Sequence, residues 1–251
     1  MLEQKKRAFW DERAAGDNPG SNDFTLKRLE MKLILERIPK SSRILEVGSG
    51  AGEALVALAK EKNCTGVGID FSEAMVRRAR VYAKKNRCDK KVRFEVGKTP
   101  DLPSHLGTFD FVLTERCLVN LNSRDAQKKA FIELMSHLKS GGQYLMIEDF
   151  QDGLDNTNAF RKMLKLYRID PPWHNIFLTQ KQIDSWESSS HILKEVIPFS
   201  STYYFLSRVV YAGLERDVRK LKYDSEINLL SCKLAPVGDF GATKAWLWKR
   251  K

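Results

Sequence analysis

From residue 43 onward, short apolar runs and amphipathic stretches alternate along the chain. Arg43-Ile-Leu-Glu-Val47 is an apolar run of strand length that stops at Gly48, and a helical stretch follows from Glu53 to about Lys62. Thr65–Ile69, ended by Asp70, is a second strand; Val92–Val96, Phe109–Leu113 and Tyr144–Ile147 are the third, fourth and fifth. Ser72 and Ser123 precede helical stretches, where a hydroxyl can accept an orphan N–H of the first turn. Ala130, Phe131, Leu134, Met135 and Leu138 recur at helical spacing, and Gly141-Gly142 is expected to stop that helix. Repeated strand-helix units with short connections predict an α/β fold, with a parallel sheet and helices on both faces.

The flanks read differently. Residues 1–40 are polar-rich and helical, interrupted by a loop signal from Gly16 to Asp23 and ended by Pro39. After residue 150 come helix-like pieces broken by Pro171-Pro172, a sixth strand over Ile192–Val196, a helix over Tyr203–Glu215 and a last strand over Lys244–Trp248. The segment 151–190 is too long for a plain connection, and long insertions in compact domains are usually lids or binding loops. The organisation expected is one domain over 1–251: a helical cap (1–40), a cofactor-binding core (41–150), a lid and substrate insertion (151–190), and C-terminal strands and helix (191–251).

Composition narrows this picture. The 251 residues fit one α/β domain better than two, and 42% apolar residues suffice to fill a core behind a sheet. No apolar run is long enough to span a membrane, and the basic N-terminus lacks an apolar block or cleavage site, so the expected location is cytoplasmic. Cys64, Cys88, Cys117 and Cys232 form no Cys-x-x-Cys pair and read as free thiols, with no metal site. The net charge of +11 draws polyanions, among them nucleic acid, anionic lipid and phosphorylated small molecules, but the charge is spread out.

The chemistry concentrates at Glu46-Val-Gly48-Ser49-Gly50-Ala-Gly52, a strand-to-helix turn. Glycines there let the chain turn tightly and let a ligand approach. The spacing is tighter than the dinucleotide fingerprint, and Glu46 suits a cationic ligand better than a pyrophosphate. S-adenosylmethionine carries an ammonium and a sulfonium and no phosphate. Asp70 stands at the second strand's end about 20 residues on, where an acid accepts from ribose hydroxyls. Its plainer role is a carboxylate at a helix N-terminus.

Ile44–Gly52, Gly68–Met75, Phe109–Leu113 and Leu138–Leu145 together resemble the class I methyltransferase family, over about residues 40–150. The resemblance implies a Rossmann-like seven-stranded, mostly parallel sheet with an antiparallel last strand. It implies S-adenosylmethionine as cofactor. Its cofactor-binding residues would be Glu46, Gly48, Ser49, Gly50 and Gly52 at the methionine part, Asp70 on the ribose, Phe71 and Met75 beside the adenine, and Gly97, Lys98, Thr99 and Glu115 around them. One departure stands out: the family usually places an acid after Gly97, and this chain has Lys98, so Thr99 or a backbone group would replace that contact.

In an open parallel sheet the strand ends converge on one crevice. That rule gathers Glu46, Asp70, Gly97, Glu115-Arg116 and Glu148-Asp149. Methyl transfer is an in-line displacement that needs no metal, and a hydroxyl acceptor also needs a base. The candidate catalytic residues are His174, in Pro171-Pro-Trp173-His-Asn175, and Glu115; the plainer reading of His174 is a structural ring bonded to a backbone carbonyl. Candidate substrate contacts are Arg116, Asn120, Trp173, His174, Asn175, Tyr203, Tyr204 and Arg208. The stretches Glu115–Leu121, Pro172–Asn175 and Ser200–Tyr204 together are loosely similar to bacterial methyltransferases of polysaccharide or sugar-nucleotide pathways. The expected partner is therefore a small-molecule acceptor, with a sugar or sugar nucleotide favoured, for a monomer or homodimer. RNA methylation is the alternative; no appended RNA-binding module is visible.

Overall fold

The computed structural model describes residues 1–16 and 19–251; Asp17 and Asn18, inside the expected Gly16–Asp23 loop, lie outside the described residues. The apolar runs become β1 (Arg43–Val47), β2 (Thr65–Asp70), β3 (Val92–Val96), β4 (Phe109–Glu115), β5 (Leu138–Asp149), β6 (His191–Ile197) and β7 (Thr243–Arg250). They form one sheet in the order β3-β2-β1-β4-β5-β7-β6. The first five strands are parallel, and β7 runs antiparallel to both β5 and β6. This is the expected seven-stranded Rossmann-like sheet. The chain reverses its winding at β1, between β2 and β4, which opens a crevice above the ends of these strands.

The main helices are α1 (Leu2–Ala15), α2 (Phe24–Arg37), α3 (Glu53–Glu61), α4 (Glu73–Lys85), α5 (Arg124–Ser136) and α6 (Gln151–Met163). Ser72 and Ser123 cap α4 and α5, accepting from Met75 N–H and Ala126 N–H, both at 3.1 Å. The sheet alternates its side chains between two cores. Ile44, Phe111, Leu113, Leu145 and Ile147 pack with Ile34, Leu55 and Val76 on one face. Leu45, Val112, Tyr144, Met146, Trp246 and Trp248 pack with Phe131 and Leu134 on the other. Strands buried on both sides read as continuous apolar runs, which is why β1 to β4 are visible in the sequence.

Three expectations change. Helix α5 ends at Ser136, not at the glycine pair; Gly141, at φ +76°, and Gly142 lie in a bulge of β5, where Phe109 pairs with Leu138 but Phe111 already pairs with Gln143. The helix expected over Tyr203–Glu215 is Ser201–Tyr204, Phe205–Tyr211 and Ala212–Glu215 run together, with a π-helical middle. In 151–190, α6 is an ordinary helix after β5, with Leu154, Thr157, Asn158 and Arg161 turned inward.

Candidate functional site

A cavity of about 620 Å³ lies over the strand ends, of a size for a nucleoside cofactor and a small second molecule. Its floor is the turn after β1. Gly48, Gly50 and Gly52 all have positive φ, +76°, +49° and +79°. Gly48 must be glycine for a second reason: a Cβ there would stand 2.8 Å from Cys117 Sγ. Gly50 is open, with nothing within 4 Å of where a Cβ would be. Gly52 does not line the cavity; its missing Cβ makes room for Phe94 and Ala79. It is a packing glycine, which corrects its expected place among the ligand contacts.

Four N–H groups of this turn are already engaged. Gly48 and Ser49 donate to Ile69 C=O at 2.8 and 3.0 Å, and Gly50 donates to Asp70 Oδ2 at 2.8 Å. Gly52 donates to Ser49 C=O at 2.8 Å. A pyrophosphate needs such donors free, so the loop does not suit a dinucleotide. Glu46 is buried, and its Oε2 has no partner among the described residues, nor has Ser49 Oγ. Burial, with Glu115 and Asp70 nearby, pushes the Glu46 carboxyl well above the usual range. A ligand that brings an ammonium and hydroxyl donors answers these groups.

Asp70 ends β2 and is nearly buried; its oxygens accept from Gly50 N–H and, at 2.9 Å, from Ser72 N–H. Burial raises its carboxyl to about 6, against the pull of those two donors. Phe71 and Met75 follow it into the lining, as do Gly97, Lys98 and Thr99 at the end of β3. Lys98 Nζ turns to Glu3 of α1 at 3.2 Å, and Thr99 Oγ1 donates to Glu133 at 2.7 Å. The Thr99 oxygen keeps its capacity to accept a hydrogen bond.

The opposite end is built from β4 and β5. Glu115, Arg116, Asn120 and Asp149 line the cavity. Arg116 Nη2 pairs with Glu30 of α2 at 3.0 Å and contacts Glu115 at 3.4 Å, so this guanidinium is tied to protein carboxylates and not free to grip a ligand with both arms. Its Nε and Glu30 Oε1 are buried without partners among the described residues. Asp149 accepts from Thr243 Oγ1 at 2.6 Å.

Glu148, expected at the crevice, lies beneath it instead. Its carboxylate accepts from Cys117, Leu118 and Val119 N–H at 3.1, 3.0 and 3.2 Å and so fixes the turn that carries Arg116 and Asn120. Burial raises it to about 7. The folded pKa lies above the unfolded one, so the folded chain holds the extra proton between about pH 4.5 and 7 and loses stability as pH rises through that window. Thermal unfolding from pH 5 to 8 should show this decline, and Glu148→Gln should make it shallower. An unchanged slope would assign it to Glu30, Glu46 and Asp70, which shift in the same direction.

Sequence reasoning expected a cap over 1–40 but named none of the α1 residues that face the cavity. Lys6, Phe9, Trp10 and Arg13 of α1 line the cavity together with Pro172, His174 and Asn175. Lys6 Nζ donates to Asn120 C=O at 2.6 Å, and the His174 ring lies 4.7 Å from Phe9 and 5.6 Å from Trp10. The signal was α1 itself: a helix with polar residues all round needs something other than an apolar stripe to hold it. His174 Nδ1 and Asn175 Oδ1 are buried without partners among the described residues, as is Asn120 Oδ1. Burial first, then Lys6 and Arg13, hold the His174 pKa below the ordinary histidine value, which keeps the ring neutral.

Four expected substrate contacts are displaced. Trp173 is half exposed outside the cavity, packed on Phe9 and under Lys5. Tyr203 and Arg208 stand one layer back and hold Asp23, whose oxygens they reach at 2.7 and 2.6 Å. Tyr204 meets Thr243 at 3.2 Å. Asp23, which lines the mouth and caps α2, is the residue they position.

Comparison with known proteins places this geometry. Residues 44–142 match the family model described as a methyltransferase domain. Norajmaline N-methyltransferase of Rauvolfia serpentina is 33% identical over 108 residues, which are 43% of this chain and 36% of that protein. The chain thus spans about a third of that relative's length. Among solved structures, a chain of the Haloferax volcanii complex between the Trm112 methyltransferase activator and its methyltransferase superposes with a TM-score of 0.65 at 16% identity, covering 96% of both chains. The [4+2]-cyclase SpnF superposes at 0.59 with 20% identity, covering 88% of this chain and 79% of its own. These two likenesses concern the fold. The glycine turn, Asp70 and the ends of β1 to β4 lie within the methyltransferase-domain match, and the cofactor is S-adenosylmethionine.

Proposed function

We propose that the chain as a whole is an S-adenosylmethionine-dependent methyltransferase acting on a small polar molecule, with a hydroxyl acceptor of sugar type favoured. The observation that supports it is the set of unpartnered acceptors, His174 Nδ1, Asn175 Oδ1 and Asn120 Oδ1, at the covered end of the cavity. A molecule rich in O–H donors matches them. The bound cofactor supplies an electrophilic methyl group. Neutral His174 takes the hydroxyl proton, and Asn120 and Asn175 orient neighbouring hydroxyls. Helix α1 and the 172–175 loop exclude water. Lys6 and Arg13, close to His174, oppose a second positive charge there and keep the ring a proton acceptor between turnovers.

An amine presents N–H donors to the same acceptors, and the plant relative is named an N-methyltransferase. RNA is less favoured, because α1 roofs the cavity. The direct test is production of S-adenosylhomocysteine by the purified chain against panels of hydroxylated acceptors, amines and RNA. Turnover on RNA alone would overturn the small-molecule reading.

Asp70 gives a separate check of the cofactor's seat. Asp70→Ala is expected to weaken S-adenosylmethionine binding at least about tenfold in calorimetry, the worth of one charge-assisted hydrogen bond. In the unaltered protein, affinity should fall as pH drops through about 6, because protonation removes the charge that accepts from the ribose and faces the cationic cofactor. The variant should lack that fall. Equal affinity in both proteins would remove Asp70 from the site.

A further inference from the structure

Far from the glycine turn, α6 carries two stripes. Leu154, Thr157, Asn158 and Arg161 face inward. Phe160, Met163 and Leu164, spaced i, i+3, i+4, share another face that remains exposed. Phe160 meets Phe205 and Phe240 edge-on at 5.5 and 5.3 Å. Leu164 lies over Gly213, so the end of α6 adjoins Leu214. Arg161 Nε holds Tyr167 C=O at 2.8 Å and fixes the turn beyond the helix. Met163 and Leu214 are each 76% exposed and Tyr167 89%.

The cations of this patch outnumber its acids, and Glu215 and Asp217, beside Leu214, are paired with Lys220 and Arg219. No acid occurs from residue 157 to residue 169, while Arg161, Lys162, Lys165 and Arg168 do. Arg168 is neutralised by Asp155 and Asp170. Lys162, Lys165 and Arg216 are exposed around the apolar tips, and none of them forms an ion pair among the described residues. A patch of protruding methionine, leucine and tyrosine ringed by cations is costly to leave in water.

We propose that this face docks the protein peripherally on an anionic lipid surface. Side chains this exposed project outward. A bilayer accepts protruding apolar tips at the headgroup boundary. Lysines beside them keep their ammonium groups at the anionic headgroups while their stems lie on the apolar side. The inference is independent of which acceptor the cavity takes. No helix among the described residues is long and apolar enough to cross a membrane, so the contact is with one leaflet.

The test is co-sedimentation of the full chain with phosphatidylcholine vesicles, with and without phosphatidylglycerol. The chain should pellet with the anionic vesicles, less so at high salt, and stay in solution with phosphatidylcholine alone. Met163→Glu with Leu214→Glu, and separately Lys162→Glu with Lys165→Glu, should each weaken that binding at least about tenfold. Unchanged S-adenosylmethionine binding reports that the variants fold. No binding to anionic vesicles, or equal binding by the variants, overturns the proposal. So does a dimer that Met163→Glu with Leu214→Glu converts to monomer in light scattering, which assigns the patch to a second copy of the chain.

Discussion

Gly50→Val is expected to abolish detectable S-adenosylmethionine binding, a loss of at least about a hundredfold, while circular dichroism shows the fold intact. Gly50 sits at φ +49° and faces the cavity, with no protein atom within 4 Å of a Cβ. The added Cβ therefore meets no other part of the described protein. Its folding cost is the left-handed backbone, roughly 1–2 kcal/mol, which a domain stable by about 5–15 kcal/mol survives. Its binding cost is different in kind, because the isopropyl group fills space the cofactor needs. Gly50→Ala carries a similar backbone cost with less bulk and should bind more weakly than the parent but better than the valine variant. Equal affinity in all three would mean that the ligand does not lie on this turn.

His174→Ala should lower kcat about a hundredfold or more on a hydroxyl acceptor, the usual range for a lost general base, and change cofactor affinity little. The reason is position. The ring lines the cavity, packed by Phe9 and Trp10, and its Nδ1 has no partner among the described residues. Its pKa is depressed, so activity in the parent should persist to lower pH than an ordinary histidine would permit. The pH–rate profile of the variant should lose that acid limb. Full activity in His174→Ala would reduce the ring to packing and favour an acceptor that arrives as a free amine.

The cofactor half of the site was legible because its signals are local. Strands buried on both faces show as apolar runs, and Gly48 and Asp70 mark where β1 and β2 stop. Spacing alone could not tell Gly50, which faces the cavity, from Gly52, which faces Phe94. The remaining differences come from long-range pairing. Tyr203 and Arg208 look like ligand contacts until Asp23, about 180 residues earlier, takes both. Arg116 looks free until Glu30 is brought to it across 86 residues. Glu148 looks like one more acid at a strand end, and only the fold shows three N–H groups of the 117–119 turn pointing at it. Helix α1 carried no periodic signal, because its partners are the cavity wall and not the core.

The way α1 is fastened sets a tempo. Besides the Phe9 and Trp10 rings, polar ties hold it: the Lys6 ammonium, the Glu3–Lys98 pair, Asp11, which accepts from Ser72 Oγ, and Arg78, which donates to the carbonyls of Ala14 and Gly16. Ties of this kind break one at a time and are weakened by dissolved ions, whereas an oily seam parts all at once. Release of a spent nucleoside from behind such a latch is therefore expected to quicken with added salt, which stopped-flow exchange at low and high ionic strength would measure.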